Sequence, residues 1–467
     1  MDWKKMKKTA ITAPLSVALL ASAGLGTVSA SGGDTQIPEV SPTVDTSAAD
    51  LRLTISNLFS THFIYQTEVA LLAYHEAKEG GPTGQGLEAA QEQLIANGGD
   101  LTEAIKSVYG QEAADAFDKI FDTQYDDSAG YGAAVASGDQ EKIDQLKKDL
   151  LETFPTDLGT LLSDATGGNL PKDTAISVLQ EHEKDVMQFL DNSIEGNFEE
   201  AYAEFNEGYE RMFTVGTALS SAIVTQMPEK FENTKAVTPA ADLRATFSQL
   251  LGEHFYYQTA TSIEAYKAAT GEGGEAFEVV GEMQEANAVE MAAAVESIYG
   301  KEAADAFDEI FSTQYEDSEA LGKAVAEGNT EKVNEITDEL LNTFAVDLGT
   351  LLSGATEGKL PKETVISVLQ QHEQSTIDIL NSYAEGDYQA VYETFTEGHA
   401  LMFTIGQALS GAIVQQMPEE FAAAPGMPET GMGGMSDSGS INWMLVTFPL
   451  LALAGALVFT RRKSLQE

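Results

Sequence analysis

The chain has 467 residues, which is too long for one compact core and long enough for two domains with extensions. Its 74 acidic and 26 basic residues give a formal net charge of −48, so its surface repels nucleic acid and anionic lipid, and neither is an expected partner. The absence of cysteine excludes disulfides, thiolate metal sites and a cysteine nucleophile.

The N-terminus has the pattern of a secretory signal peptide. It is basic before it is apolar, with Lys4, Lys5, Lys7 and Lys8 ahead of an apolar run at residues 10–25. Small residues follow at positions 28–30, where a signal peptidase cuts. We therefore expect residues 1–30 to be removed and residues 31–48 to be a linker. An uncleaved membrane anchor is the alternative.

The body of the chain has helical periodicity. In residues 49–78 the apolar side chains recur at alternating spacings of about four and three, which predicts a helix that buries one stripe, namely Leu51, Ile55, Leu58, Tyr65, Val69 and Leu72. A break at Gly98-Gly99 should precede helices at 100–109 and 112–125, and others should follow at 140–153 and 158–165. Pro171 should open a long helix that ends before Gly196, and a last helix should cover 198–226.

The same pattern occurs twice. Residues 49–231 recur as 241–421; for example, DLGTLLSDATGGNLPK at 157–172 returns as DLGTLLSGATEGKLPK at 347–362. A repeat this long is a whole domain and not a solenoid unit. The predicted fold is all-α: two tandem antiparallel helical bundles joined by a linker at 232–240. Residues 422–442 resemble a flexible tether, and the sequence leaves open whether the bundles pack together. Most acidic residues between the buried positions should lie on solvated helix faces.

Histidines on the buried stripes suggest a metal site in each bundle. His182 lies 14 residues before the turn at Gly196 and Tyr209 lies 13 after it, so the two should stand at one height. Imidazoles on facing helices can bind a metal, and a thioether would favour copper. The candidate ligands are His62, His182, Tyr209 and Met212 in the first bundle, and His254, His372, His399 and Met402 in the second. The alternative is core histidines bonded to Gln66, Gln124 or a tyrosine hydroxyl.

The C-terminus resembles the sortase sorting signal of Gram-positive surface proteins. Its parts are Met427, Pro428, Glu429, Thr430 and Gly431, an apolar segment at 443–460, and a basic tail at 461–467. Methionine replaces the leucine of the LPxTG pattern. The resemblance implies that sortase cuts after Thr430 and joins it to peptidoglycan, with the apolar segment spanning the membrane beforehand. A plain membrane anchor is the alternative.

The body also resembles secreted helical proteins of Bacillus-like bacteria that are often labelled copper amine oxidase. The matching segments are residues 242–255, 297–307, 355–361, 385–398 and 408–418. The resemblance implies an envelope protein that binds copper, and not oxidase chemistry, because the TxxNY[DE] pattern of quinone-forming oxidases is missing. We expect a cell-wall-anchored, non-enzymatic surface protein of a Gram-positive, salt-adapted bacterium, without catalytic residues. Copper or other transition-metal binding is the second hypothesis, and a metal-dependent oxidase the third.

Overall fold

A computed structural model describes residues 41–79 and 84–422. The predictions for the signal peptide, the sorting motif at 427–431, the apolar segment at 443–460 and the basic tail lie outside this part of the chain. Within it the protein is helical and no strand occurs, which confirms the all-α prediction. No helix of the described residues is long and apolar enough to cross a membrane.

Seven helices in the first half are followed by seven in the same order in the second. The first half contains α1 (Ser47–Glu79), α2 (Gly84–Tyr109), α3 (Gln111–Ser137), α4 (Gln140–Lys148), α5 (Phe154–Ala165), α6 (Lys172–Glu195) and α7 (Phe198–Gln226). The second contains α8 (Pro239–Thr270), α9 (Phe277–Tyr299), α10 (Lys301–Ala326), α11 (Thr330–Asp338), α12 (Ala345–Ala355), α13 (Lys362–Glu385) and α14 (Tyr388–Gln416). π-helical turns at Asp149–Thr153 and Glu339–Phe344 join α4 to α5 and α11 to α12.

The predicted helix boundaries are confirmed for α6 and are wrong for α2. Pro171 precedes α6, and Gly196 ends it in the left-handed conformation with φ 80°, as predicted. The predicted break at Gly98-Gly99 is wrong, because α2 runs through both glycines. Gly98 instead lets α3 approach: a Cβ atom there would lie 1.5 Å from the hydroxyl oxygen of Tyr125. The glycine serves close packing and not a turn.

The first helix of each half is the centre of its bundle. α1 packs against α2, α3 and α7, and α8 packs in the same way against α9, α10 and α14. Two glycines allow the closest of these approaches. A Cβ atom at Gly208 would lie 2.2 Å from the Phe63 ring, and one at Gly398 would lie 2.2 Å from the Phe255 ring. The central helices, which carry His62 and His254, are therefore buried on several faces.

The two halves pack directly against each other, which answers what the sequence left open. Arg52 donates to Asp242 at 2.5 Å, and Arg244 donates to Asp50 at 2.6 Å. Arg52 and Arg244 occupy the same position of the repeat, as do Asp50 and Asp242. The exchange is therefore reciprocal, as in the interface of a symmetric dimer.

Buried tyrosines extend this pseudo-twofold relation. Tyr65 hydrogen-bonds Thr396 at 2.6 Å, and its equivalent Tyr257 donates to Asn206, which is the equivalent of Thr396. Residues near the axis meet their own equivalents. The rings of Phe213 and Phe403 stack with centroids 5.8 Å apart. The axis therefore passes between α7 and α14.

Candidate metal centres

Each half brings two of its predicted histidines together in its core. His62 on α1 and His182 on α6 have ring centroids 5.9 Å apart, and His254 on α8 and His372 on α13 have ring centroids 5.7 Å apart. All four side chains are buried, with 1–3% exposure. The two pairs occupy equivalent positions of the repeat. We refer to them as centre 1 and centre 2.

A buried glutamate, which the sequence analysis missed, completes each centre. The expectation of a solvated face is wrong for Glu183, which is 0% exposed and accepts hydrogen bonds from Gln66 at 2.9 Å and Gln124 at 2.7 Å. Its oxygen Oε1 lies 3.7 Å from Nε2 of His182. A signal was present, because Glu183 follows Leu179 by four residues and precedes Leu190 by seven, which places it on the apolar stripe.

Centre 2 repeats this arrangement. Glu373 is also 0% exposed and accepts from Gln258 at 2.8 Å and Gln314 at 2.6 Å. Its oxygen Oε1 lies 3.4 Å from Nε2 of His372. The two carboxyl groups are therefore held by side-chain amides on two different helices. A fixed orientation of this kind is typical of ligands held by outer-shell partners.

Both centres contain buried polar atoms without a hydrogen-bond partner. Both ring nitrogens of His254 lack one, as do Nδ1 of His182 and of His372; those of His62 lack one of normal geometry, although Gln124 and Asn97 lie close enough to raise its pKa. The same holds for amide oxygens around the rings, namely those of Gln66, Gln124, Gln314, Asn97 and Asn287. Buried polar groups are rarely left unpaired. Each neutral imidazole has one N–H donor, and the other atoms offer lone pairs, so the missing partners are a cation or a donor for the lone pairs and an acceptor for the N–H groups; water can supply both of the last two.

Burial controls the charge state of the centres. Loss of hydration lowers the pKa of His62 and of His254 to about 4. For His62, side-chain hydrogen bonds with Gln124 and Asn97 raise the pKa by a smaller amount. Burial raises the pKa of Glu183 and of Glu373 to about 8. At neutral pH the imidazoles are therefore neutral, which is the form that binds metal, and the carboxyl groups are mostly protonated.

The remaining predicted ligands lie elsewhere. His399 hydrogen-bonds the Tyr209 hydroxyl through Nε2 at 3.1 Å, so both side chains face the opposite half and not the histidine pairs. Met212 and Met402 are buried in the apolar core. Counting residues from the Gly196 turn gives height along a helix but not direction around it, which is why Tyr209 was misplaced. A core histidine bonded to a tyrosine hydroxyl was the predicted alternative, and it holds for His399.

The donor set suits a transition metal, although the side chains are not closed around one. In residues 41–79 and 84–422, no three His, Asp or Glu side chains stand together as a ready ligand group. Two imidazoles and a carboxylate are nevertheless ligands that zinc, iron and copper share. Comparison with protein families, curated proteins and solved structures finds no match for this chain.

Proposed function

We propose that this chain is an extracellular, cell-wall-anchored and non-enzymatic protein that binds one transition-metal ion in each of two tandem helical bundles. The proposed ligands are His62, His182 and Glu183 in centre 1, and their equivalents His254, His372 and Glu373 in centre 2. The observation that carries the proposal is the pair of unpartnered imidazole nitrogens on His254, at 2% exposure; its equivalent His62, at 1% exposure, has only weak contacts with Gln124 and Asn97.

Distances within the centres support a shared ion. Ligand atoms at about 2.05 Å from a tetrahedral metal lie about 3.3 Å from one another. The distance from His372 Nε2 to Glu373 Oε1 is 3.4 Å, and that from His182 Nε2 to Glu183 Oε1 is 3.7 Å. Binding of an ion would require Glu183 or Glu373 to lose its proton. It would also require the facing imidazole of His62 or His254 to turn toward the ion. The buried amide oxygens would then orient the ligands from behind.

The choice of metal changes relative to the sequence-based hypothesis. Copper was favoured by a thioether ligand, and neither Met212 nor Met402 belongs to the proposed ligand set. Two imidazoles and one carboxylate bind zinc, iron(II) and copper(II) alike, with affinities that generally rise from iron to copper. We therefore propose a site for a divalent transition metal whose ligands include no thioether to select copper.

Metal content of the full chain tests this function. The chain is stripped with a chelator, dialysed against zinc or copper(II), and analysed for bound metal after removal of loosely held ions. We expect about two ions per chain, because there are two equivalent centres. His182→Ala or His372→Ala should each leave one ion, and the double variant none. His399→Gln is the control and should keep both. Unchanged metal content in the double variant would refute the assignment.

The anchoring part of the proposal is supported by the sequence alone. The sorting motif at 427–431, the apolar segment and the basic tail occur in the order that sortase requires. Cell fractionation of a Gram-positive host that expresses the chain tests it. The unaltered protein should be released only when the wall is digested, and Thr430→Ala should move it to the membrane fraction. Equal distribution of both proteins would exclude sortase anchoring.

A further inference from the structure

A hydrogen-bonded chain lies on the axis between the two halves, away from both metal centres. The Tyr209 hydroxyl lies 3.1 Å from His399 Nε2, and His399 Nδ1 lies 3.1 Å from the Thr61 hydroxyl. The Thr61 hydroxyl donates in turn to the Asn57 amide oxygen at 3.5 Å. In the tautomer whose Nδ1–H donates to Thr61, the Nε2 lone pair of His399 is free to accept from Tyr209.

The composition of the body makes tyrosine its most readily oxidised ring. The chain has no cysteine, and its two tryptophans, Trp3 and Trp443, lie outside the described residues. A tyrosine that loses one electron becomes a strong acid, so the radical persists only where a base takes the hydroxyl proton. A buried tyrosine with a base beside it is therefore where such an oxidation settles.

Among the tyrosines between the two halves, fully buried Tyr209 is paired with an imidazole, and half-buried Tyr392 donates to the Glu68 carboxyl group, where water can compete. Tyr65 bonds the Thr396 hydroxyl and the Tyr392 carbonyl oxygen, and Tyr257 bonds the Asn206 amide oxygen. None of those partners is a base at neutral pH. Both Tyr209 and His399 are 0% exposed, so water does not compete for the bond. Burial lowers the pKa of His399 to about 3, which keeps its ring neutral; this makes it a weaker base than free imidazole, but a tyrosine that has lost an electron is acidic enough to protonate it.

Ring contacts connect this pair with the surface. Half-buried Tyr392 lies 5.9 Å from Tyr65, Tyr65 lies 6.1 Å from Phe395, and Phe395 lies 5.9 Å from His399, measured between ring centroids. Gly252 leaves room for the pair, since a Cβ atom there would lie 2.3 Å from the Tyr209 hydroxyl oxygen and 3.0 Å from His399 Nε2. An electron can thus leave the buried ring through closely spaced aromatic groups.

We propose that Tyr209 is a redox-active side chain that yields one electron to an oxidised transition-metal complex at the protein surface while its hydroxyl proton moves to Nε2 of His399. The O–H bond of Tyr209 breaks and an N–H bond forms on His399. The products are a neutral phenoxyl radical, an imidazolium and the reduced oxidant, and re-reduction reverses the step. The reaction needs no metal in either centre, so it stands or falls separately from the proposed metal binding.

Photo-oxidation of the full chain tests this assignment. The chain carries Trp3→Phe and Trp443→Phe, is stripped of metal, and is oxidised with photogenerated tris(bipyridine)ruthenium(III), a one-electron oxidant. Electron paramagnetic resonance of frozen samples should show one tyrosyl radical. Tyr209→Phe should lower its yield at least about tenfold, which corresponds to about 1.4 kcal/mol. Tyr257→Phe, the matched control, should keep it. A signal that survives Tyr209→Phe overturns the proposal.

Two further variants separate a redox role from a packing role. His399→Gln keeps an acceptor for the hydroxyl but removes the base, so the lifetime of the radical should fall at least about tenfold. Gly252→Ala keeps Tyr209 and His399 but forces their side chains apart. The lifetime of the radical should therefore fall in the same way. Melting curves show that the variants are folded. A radical on Tyr209 whose lifetime is unchanged in folded His399→Gln would contradict the proton transfer.

Discussion

Tyr209 and His399 hydrogen-bond each other although they occupy the same position of the repeat. Their contact marks the pseudo-twofold axis, and the stacked Phe213 and Phe403 rings lie one turn further along the same helices. A symmetric pairing would place two tyrosines or two histidines there. Because the two halves differ at this position, the first half supplies the hydroxyl of this hydrogen bond and the second half supplies the imidazole.

Both reciprocal arginines should contribute to stability. Arg52→Met should lower the free energy of unfolding by about 1–3 kcal/mol, because it removes hydrogen bonds to Asp242 and to a backbone carbonyl. Arg244→Met should cost somewhat less, because Arg244 makes the equivalent bonds to Asp50 and to the Val44 carbonyl but its Nε has no partner, whereas Nε of Arg52 donates to Thr217. Lys106→Met, which breaks an exposed pair with Glu103, should change stability by less than about 0.5 kcal/mol. Urea unfolding at constant salt measures all three, and a cost for one arginine alone would contradict the symmetric interface.

The glycines under the two phenylalanine rings should not tolerate a side chain. Gly208→Ala and Gly398→Ala should each destabilise the protein by about 1–3 kcal/mol, because the new Cβ atom overlaps the Phe63 or Phe255 ring. Gly99→Ala is the control: no atom lies within 4 Å of its Cβ position, and helix propensity should make it stabilising by about 0.5–1 kcal/mol. Thermal unfolding distinguishes the two classes, and equal effects would show that the helices can move apart freely.

Metal affinity should rise with pH. Burial raises the pKa of Glu183 and of Glu373 to about 8, so below that pH an ion must displace a proton from the carboxyl group. Apparent affinity should increase up to about tenfold per pH unit between pH 6.5 and 8. The histidines add no pH dependence there, because their pKa values are lowered. Competition with a chromophoric chelator measures this. Glu183→Gln with Glu373→Gln should weaken binding and flatten the profile, whereas a flat profile in the unaltered chain would exclude the carboxyl groups as ligands.

Without metal, the protein should lose stability as pH rises from about 6.5 to 8. In this window the unfolded state has ionised Glu183 and Glu373, while the folded state still holds their protons. Because the folded state binds more protons, the free energy of unfolding falls with pH, by on the order of 1 kcal/mol per carboxyl group per pH unit. The histidines, whose pKa values burial lowers to about 4, add stability with rising pH between about pH 4 and 6.5, where they oppose the loss from the two carboxyl groups.

Unfolding measured at high salt, which screens the repulsion of the acidic surface, checks this slope. The Glu183→Gln and Glu373→Gln double variant keeps the shape of the side chains without the titration, so its slope between pH 6.5 and 8 should be smaller. Other buried acids, such as Glu290, whose pKa burial raises to about 7, contribute to what remains. Identical slopes for the variant and the unaltered chain would show that the two carboxyl groups titrate normally.

Local sequence signals predicted the helices well and their packing poorly. Pro171 and Gly196 bound α6 because proline and glycine act through the backbone of their own residue. Gly98 was wrongly predicted to break a helix, because its role depends on Tyr125, which approaches from another helix. Distance along the chain does not reveal such a neighbour.

The candidate site was predicted in part for a similar reason. Helical spacing placed His62 and His182 on buried faces, and the structure brings them together. Glu183 was assigned to solvent with the many other acidic residues, although its stripe is apolar. His399 was placed with the wrong partners, because the sequence does not show that α7 and α14 face each other across an interface between the halves.

The position of a bound metal is the most direct test of the account. Crystals of the chain loaded with zinc or copper(II) would be measured on both sides of the absorption edge of the metal. We expect two anomalous peaks per chain, one between His62, His182 and Glu183 and one between His254, His372 and Glu373. Peaks only at exposed carboxylates, with both centres filled by water, would contradict metal binding and leave the centres as hydrated parts of the core.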